Sequence, residues 1–237
     1  MTNAPTSRPD EPQTSLAGAL AALARDLQRG QAPDDVTAQA VASAVALVPG
    51  AEEGSVSLVR SRRHVVSAAA TSDVARGFDA LQESVGEGPC LAAMFSEPVV
   101  RTDDLAEDTR WPRLGARTDE LGVRSMLSFQ LFVHENTLGA LNLLSSKPAA
   151  FDDEAEGIGA MVAAHAAVAL AGAQKFDHLR MALVNRDVIG QAKGILMERF
   201  KVDADQAFAL LTRVSQDRNV KLHVLATELT RTGSLER

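Results

Sequence analysis

The chain has 237 residues, with 24 Lys/Arg against 31 Asp/Glu, a net charge of −7 and one cysteine. That length makes one large domain or two small ones. The acidity excludes nucleic-acid binding by bulk charge, and the lone Cys90 excludes an intramolecular disulfide or a multi-cysteine metal site.

The charge is unevenly spread. Residues 1–175 hold 14 Lys/Arg and 23 Asp/Glu, whereas residues 176–237 hold 10 and 8. Any nucleic-acid binding by the C-terminal part must therefore rest on a few placed cations. No uninterrupted apolar run reaches the ~18 residues of a membrane span. The start, MTNAPTSRPDEPQTS, lacks a basic-then-apolar leader pattern. The expected setting is the cytoplasm, with no membrane partner.

Residues 1–14 are polar and Pro-rich and read as a disordered tail. Ser15 would cap a helix over LAGALAALARDLQRG, and PDDVTAQAVASAVALV (33–48) reads as a second helix with Pro and acids in its first turn. GSVSLVRSRRHVVSAAATS alternates apolar and polar residues, which predicts strands near 54–60 and 63–70. Asp73–Ser84 returns to helical spacing. A Gly-rich loop, a short helix and a short strand near Val99 follow, and Trp111–Leu121 reads as a helix. RSMLSFQLFVHENTLGALNLLSSK predicts a hairpin turning at His134-Glu135-Asn136. After Pro148 the pattern is helical only. One helix from Asp152 to about Phe200 would be ~70 Å long at 1.5 Å per residue. Its apolar, small-residue middle suits packing against a second copy, so a homodimer is expected. A capping-box pattern, Asp203 to Gln206, opens a helix that buries Ala207, Leu210, Leu211 and Val214. A last helix buries Leu222, Leu225, Ala226 and Leu229. Strands without regular βα alternation imply an antiparallel sheet with helices at its faces, that is, an α+β fold.

Within NRDVIGQAKGILMERF (185–200), Arg186, Gly190, Lys193 and Met197 share one helix face. Each glycine costs about 1 kcal/mol relative to alanine in a helix interior. Two readings are open. The glycines serve helix packing or flexibility, or they let a sugar-phosphate backbone come close beside the cations. Asn219 reads as the N-cap of the last helix. Lys221, near that helix start, is unfavourable for the helix dipole unless an anion sits there.

Residues 15–172 resemble a GAF domain through GEGPCLAA, EPVV, the hairpin and PAAFDDEA. The resemblance implies a six-stranded antiparallel sheet with helices behind it, used for small-molecule binding or dimerisation. Residues 173–237 resemble an ANTAR domain through IGQAKGILM, Asp205-Gln206-Ala207-Phe208, Leu210-Leu211, Arg213-Val214-Ser215, Asn219-Val220-Lys221-Leu222 and Val224-Leu225-Ala226. This implies a three-helix RNA-binding module, joined to the sensor by the long helix, that acts in transcription antitermination. Such modules recognise paired small-loop hairpins overlapping a terminator. The implied RNA-contacting residues are Arg186, Gly190, Gln191, Ala192, Lys193, Gly194, Met197, Arg213, Ser215, Asn219 and Lys221. With Phe208 as the aromatic of its helix and no tyrosine in the chain, recognition is expected to rest on backbone contacts, loop shape and a few polar base contacts.

In the sensor part, Cys90 is the candidate redox-responsive group. Asn142, Lys147, Phe151, Asp153 and Glu154 follow the order of a motif found in cyclic-nucleotide-binding GAF domains. The histidines at 64, 134, 165, 178 and 223 have no metal-ligand spacing, and no catalytic set stands out. Neither cofactor, metal nor enzymatic turnover is expected. A small-molecule or protein partner at the GAF domain stays open. The alternative reading is a GAF sensor with a DNA-binding helical tail.

Overall fold

The computed structural model describes residues 16–30, 32–60, 64–133 and 136–234. The expected tail, the Ser15 cap and the residues of the hairpin turn at 134–135 lie outside them. Contacts divide the chain into two compact units, the boundary falling between Gln174 and Lys175.

In the first unit, α1 (Leu16–Arg29) and α2 (Pro33–Leu47) precede β1 (Glu53–Val59) and β2 (Val65–Ala70). Then come α3 (Asp73–Val85), α4 (Pro89–Phe95), β3 (Val99–Thr102), the short α5 (Pro112–Gly115), β4 (Ser125–Val133) and β5 (Asn136–Ser145). The strands form one antiparallel sheet in the order β2-β1-β5-β4-β3. The family resemblance implied six strands; five form among the described residues.

Strand alternation sorts the side chains into two cores. Leu127, Phe129 and Leu131 of β4 join Val56 and Leu58 of β1 under α1, α2 and the start of α6 (Asp153–Phe200). Met126 of β4 and Ala140 and Leu144 of β5 face the other way, against Phe78 of α3, Met94 of α4 and Trp111. Both faces are covered, so these strands read as nearly continuous apolar runs.

The expected helix over Trp111–Leu121 does not form as one element. α5 stops at Gly115, and a single 3₁₀ turn follows at Thr118–Glu120. Beyond Gly115 the α-helical bonds give way to 3₁₀ ones, the Arg117 N–H donating to the Leu114 carbonyl at 2.9 Å and the Leu121 N–H to the Thr118 carbonyl at 3.2 Å.

α6 carries Ala155, Ile158, Val162, Ala163, Ala166, Ala167, Leu170 and Ala173 into the first core. The absence of a spanning run expected from the sequence needs correcting. An 18-residue window of α6 has mean hydropathy 1.4, long and apolar enough by composition to cross a membrane, and 44% of that window is buried in the fold. The sheet accounts for the buried part of it, and Met161 and Val168 stay exposed. A methyl on Gly159 would sit 2.3 Å from Cζ of Phe129, itself only 1% exposed. Gly159→Ala is therefore expected to destabilise the unit by about 1–2 kcal/mol, overpacking outweighing the gain in helix propensity. Chemical unfolding checks this, and an unchanged midpoint would contradict the close helix–sheet contact.

Candidate nucleic-acid interface

The second unit closes around seven buried side chains: Ala192 and Leu196 of α6, Ala207 and Leu211 of α7 (Ala204–Arg218), and Leu225, Ala226 and Leu229 of α8 (Leu222–Thr232). The capping box forms as read. Asp203 accepts from the backbone N–H of Gln206 at 2.8 Å, and the Gln206 side chain accepts from the N–H of Asp203 at 3.3 Å. Leu210 is not a core residue: it is 37% exposed, because the tight α7 contact uses only Ala207 and Leu211. Phe200, at the end of α6, is likewise exposed.

The expected contact set divides. Gly190 and Gly194 both lie at the surface, and a Cβ built on either meets nothing within 4 Å. Helix packing within the described residues therefore does not explain them. Gln191 and Gly194 line a groove between α6 and α8 with Ile195, Glu198, Arg199 and Thr230. Lys193 turns the other way, to α7, where its Nζ lies 5.8 Å from the Phe208 ring centroid. Arg186 is exposed one turn before Gly190.

Two members of the set do not present themselves to a ligand. Ala192 is fully buried under α7 and α8, since the face it follows is the one that makes the core. Met197 is half-buried and packs on the same core.

At the α7–α8 turn, Ser215, Asn219 and Lys221 come together, while Arg213 is exposed on α7. The Ser215 hydroxyl donates to the Val220 carbonyl at 2.6 Å, so its proton is engaged in the turn. Asn219 is not the N-cap of α8. It is the left-handed C-cap of α7, with φ 51°, a conformation asparagine tolerates better than most residues. Lys221 holds the N-cap of α8 and supplies no side-chain cap bond. The first N–H groups of α8 and the exposed ammonium stand at one end of the helix, an arrangement that favours an anion.

The cations separate by what they touch. Arg199 donates to the Gly233 carbonyl at 2.5 Å, Lys201 pairs with Glu198 at 2.7 Å, and Arg218 with Glu228 at 3.8 Å. Among the described residues no ion pair engages Arg186, Lys193, Arg213 or Lys221. Among the described residues Lys175, Arg180 and Arg231 of this unit are likewise without an ion pair, so place on the surface, not pairing, sets the motif's four cations apart. Phe208 belongs to the motif but not to the expected contacts, because its neighbour Lys193 is brought to it only by the folding of α7 onto α6.

In the first unit the sensing candidates fare differently. Cys90 is 2% exposed, and burial, helped by the charge of nearby Asp79, pushes its thiol well above the ordinary range. That makes a poor thiolate and argues against ready oxidation. The five residues of the cyclic-nucleotide pattern do not converge. Phe151 is in the core on one sheet face, whereas Asn142 is buried on the other. Lys147 approaches Glu52 at 3.4 Å, and Asp153 accepts from Arg101 at 2.9 Å.

The polar centre of this unit was not evident beforehand. The buried Asp79 of α3 accepts from Ser55 at 2.8 Å and Asn142 at 3.3 Å on one oxygen. On the other it accepts from Ser57 at 2.9 Å and Ser67 at 2.7 Å. Asn142 also reaches Cys90 Sγ at 3.2 Å. Burial raises the Asp79 carboxyl above its usual value, against the lowering effect of these four donors. Among the described residues no group of three or more His, Cys, Asp or Glu is arranged to hold a metal.

Residues 177–229 match the ANTAR domain family, and residues 30–171, more than half of the chain, match the GAF domain family. The chain belongs to the GAF family. Its GAF domain is followed by an ANTAR domain, an order that places this GAF–ANTAR protein among RNA-binding regulators with a sensor domain.

Solved structures agree in fold. Free methionine-R-sulfoxide reductase from Neisseria meningitidis, in complex with its substrate, is 15% identical with a TM-score of 0.54, covering 73% of this chain and 99% of that one. The chromophore-binding domain of an unusual bacteriophytochrome from R. palustris is 12% identical with a TM-score of 0.54, covering 69% and 63%. The Stigmatella aurantiaca phytochrome photosensory core module is 10% identical with a TM-score of 0.61, covering 94% and 47%. The GAF–ANTAR chain thus spans only part of the two phytochrome structures, and at these identities the likeness is one of fold alone. No curated protein matches the chain.

Proposed function

We propose that this GAF–ANTAR protein binds paired small-loop RNA hairpins in nascent transcripts and thereby disfavours terminators, under control of its GAF domain. The observation that carries the reading is the pair of surface glycines, Gly190 and Gly194, with open space where a Cβ would be, on the helix that also bears the unpaired Arg186 and Lys193. Helix stability alone would select alanine at both positions. A close-approaching sugar-phosphate backbone gives the glycines a use.

The protein acts by binding rather than turnover, in the cytoplasm, and as a homodimer. Support for the dimer is the outer face of α6, where Val168, Phe176, Leu179 and Leu183 are 58–67% exposed. With Met161, His165 and Gly172 they follow an 11-residue repeat (161, 172, 183; 165, 176; 168, 179), the spacing of a right-handed helix-pair seam. Paired ANTAR units then meet paired hairpins. A small molecule or a protein partner at the GAF domain supplies the signal.

Gel-shift titration of the full chain tests this, using tandem hairpin RNA, a single hairpin and duplex DNA at two salt concentrations. The expected result is tight, salt-sensitive binding of the tandem RNA. Lys193→Ala is expected to weaken it about tenfold and to reduce the slope of log K against log salt by about one. A preference for duplex DNA would support a DNA-binding tail instead.

A further inference from the structure

Phe208 is left 43% exposed although both its neighbours in the α7 contact, Ala207 and Leu211, are fully buried. The three-helix core does not need its ring. Lys193 Nζ stands 5.8 Å from the ring centroid, at the outer limit of a cation–π contact, so the ammonium is loosely held there. On the same α6 face Gly190 opens the surface and Arg186 follows, without an ion pair among the described residues. A flat apolar ring, an ammonium at its side, bare backbone and a guanidinium therefore succeed one another along one strip. That sequence of chemistries alternates as a polynucleotide does, with a planar base beside an anionic phosphate.

We propose that Phe208 is a stacking platform for one unpaired nucleobase of the bound RNA, with Lys193 holding the phosphate beside it. This rests on the RNA reading above and names the part of the RNA that the site grips. Every base has a π-face, so this contact adds affinity at a loop position without choosing the base. The phenylalanine thereby adds to the polar and backbone recognition expected from the sequence.

The test uses the full chain and hairpin RNAs carrying 2-aminopurine at each loop position in turn. Wild type, Phe208→Leu and Phe208→Tyr are compared at two salt concentrations. Phe208→Leu is expected to lose roughly 5- to 100-fold in affinity, the range for one base–aromatic stack. Its salt slope should stay at the wild-type value, since no cation is removed. Phe208→Tyr should remain within about threefold of wild type. One 2-aminopurine position should be quenched by wild type and not by Phe208→Leu, with unfolding midpoints alike. Wild-type affinity in Phe208→Leu, equal loss in both variants, or quenching that survives in Phe208→Leu would overturn the proposal and leave the RNA reading standing. If Phe208→Leu changes sedimentation but not RNA affinity, the ring belongs to an interface between copies, and the proposal fails. Wild-type chain that binds no hairpin at either salt removes the RNA reading itself, before any variant is compared.

Discussion

Asp79→Ala is expected to lower the stability of the GAF domain by about 2–4 kcal/mol, because several buried hydrogen bonds lose their common acceptor. The carboxyl accepts four hydrogen bonds, from Ser55, Ser57, Ser67 and Asn142, and is 6% exposed. Alanine would leave the fully buried Ser55 and Ser57 hydroxyls without this acceptor, whereas Asn142 keeps its contacts to Ser55 and Cys90 and Ser67 is only part-buried. An unsatisfied buried group costs about 1–3 kcal/mol. Removing the carboxyl also relieves its desolvation, which keeps the net loss below the sum over four donors. Of a typical margin of about 5–15 kcal/mol this is a large share.

Asp79→Asn keeps the shape but turns an amide N–H₂ toward groups that already donate, so an intermediate loss is expected. The pH dependence follows from the raised carboxyl. The folded state holds the proton more tightly than the unfolded chain, whose carboxyl titrates near 3.9. Stability from this group is fully present below that pH and is lost as pH rises through the folded value. Wild type minus Asp79→Asn should therefore be largest below about pH 4 and shrink as pH rises. Denaturant unfolding between pH 3.5 and 7.5 measures it. A difference that grows with pH would show a carboxyl stabilised as its anion and contradict the account.

Gly190→Ala and Gly194→Ala are expected to move stability and binding in opposite directions. Nothing lies within 4 Å of the added methyl at either site, so each substitution should stabilise the helix by about 1 kcal/mol. The same methyl would hold off a closely approaching RNA backbone, at a cost of about 1–3 kcal/mol per site. That is a loss of roughly 5- to 100-fold in affinity. The pair is diagnostic because a glycine kept for packing gives the reverse pattern. Gly159, whose methyl would strike Phe129, is the internal comparison. Unfolding curves and RNA titrations on the same preparations decide it. Unchanged RNA affinity in both variants would leave the two glycines without the role assigned to them.

Much of the fold was legible because its signals are local. Pro33 with Asp34 and Asp35 opens α2, Asp203 with Gln206 opens α7, and two apolar runs separated by a short polar stretch give the β4–β5 hairpin. Trp111–Leu121 misled because its helical spacing is genuine, while its backbone bonding shortens to the 3₁₀ pattern after Gly115. Asn219 misled in the same way. A cap residue fits either helix end, and only its positive φ shows which one it closes.

The candidate site was legible as a list and not as a surface. Chain order placed Gly190, Lys193 and Gly194 on one helix, and it named four cations that make no ion pair among the described residues. It could not separate Ala192, which the core consumes, from Gln191 beside it. Nor could it bring Phe208 to Lys193. Asp79 drew no notice, since a lone aspartate in a helix ordinarily faces water.

The sequence by itself therefore determined the element types, the order of the two domains and their families, because helical and strand periodicity, caps and motif spacing are properties of neighbours along the chain. Only the tertiary structure decided which side chains are spent on packing and which remain for a ligand. Burial, orphaned space beside a glycine and a shifted carboxyl arise from residues distant in sequence, such as Asp79 and Asn142, meeting across a fold.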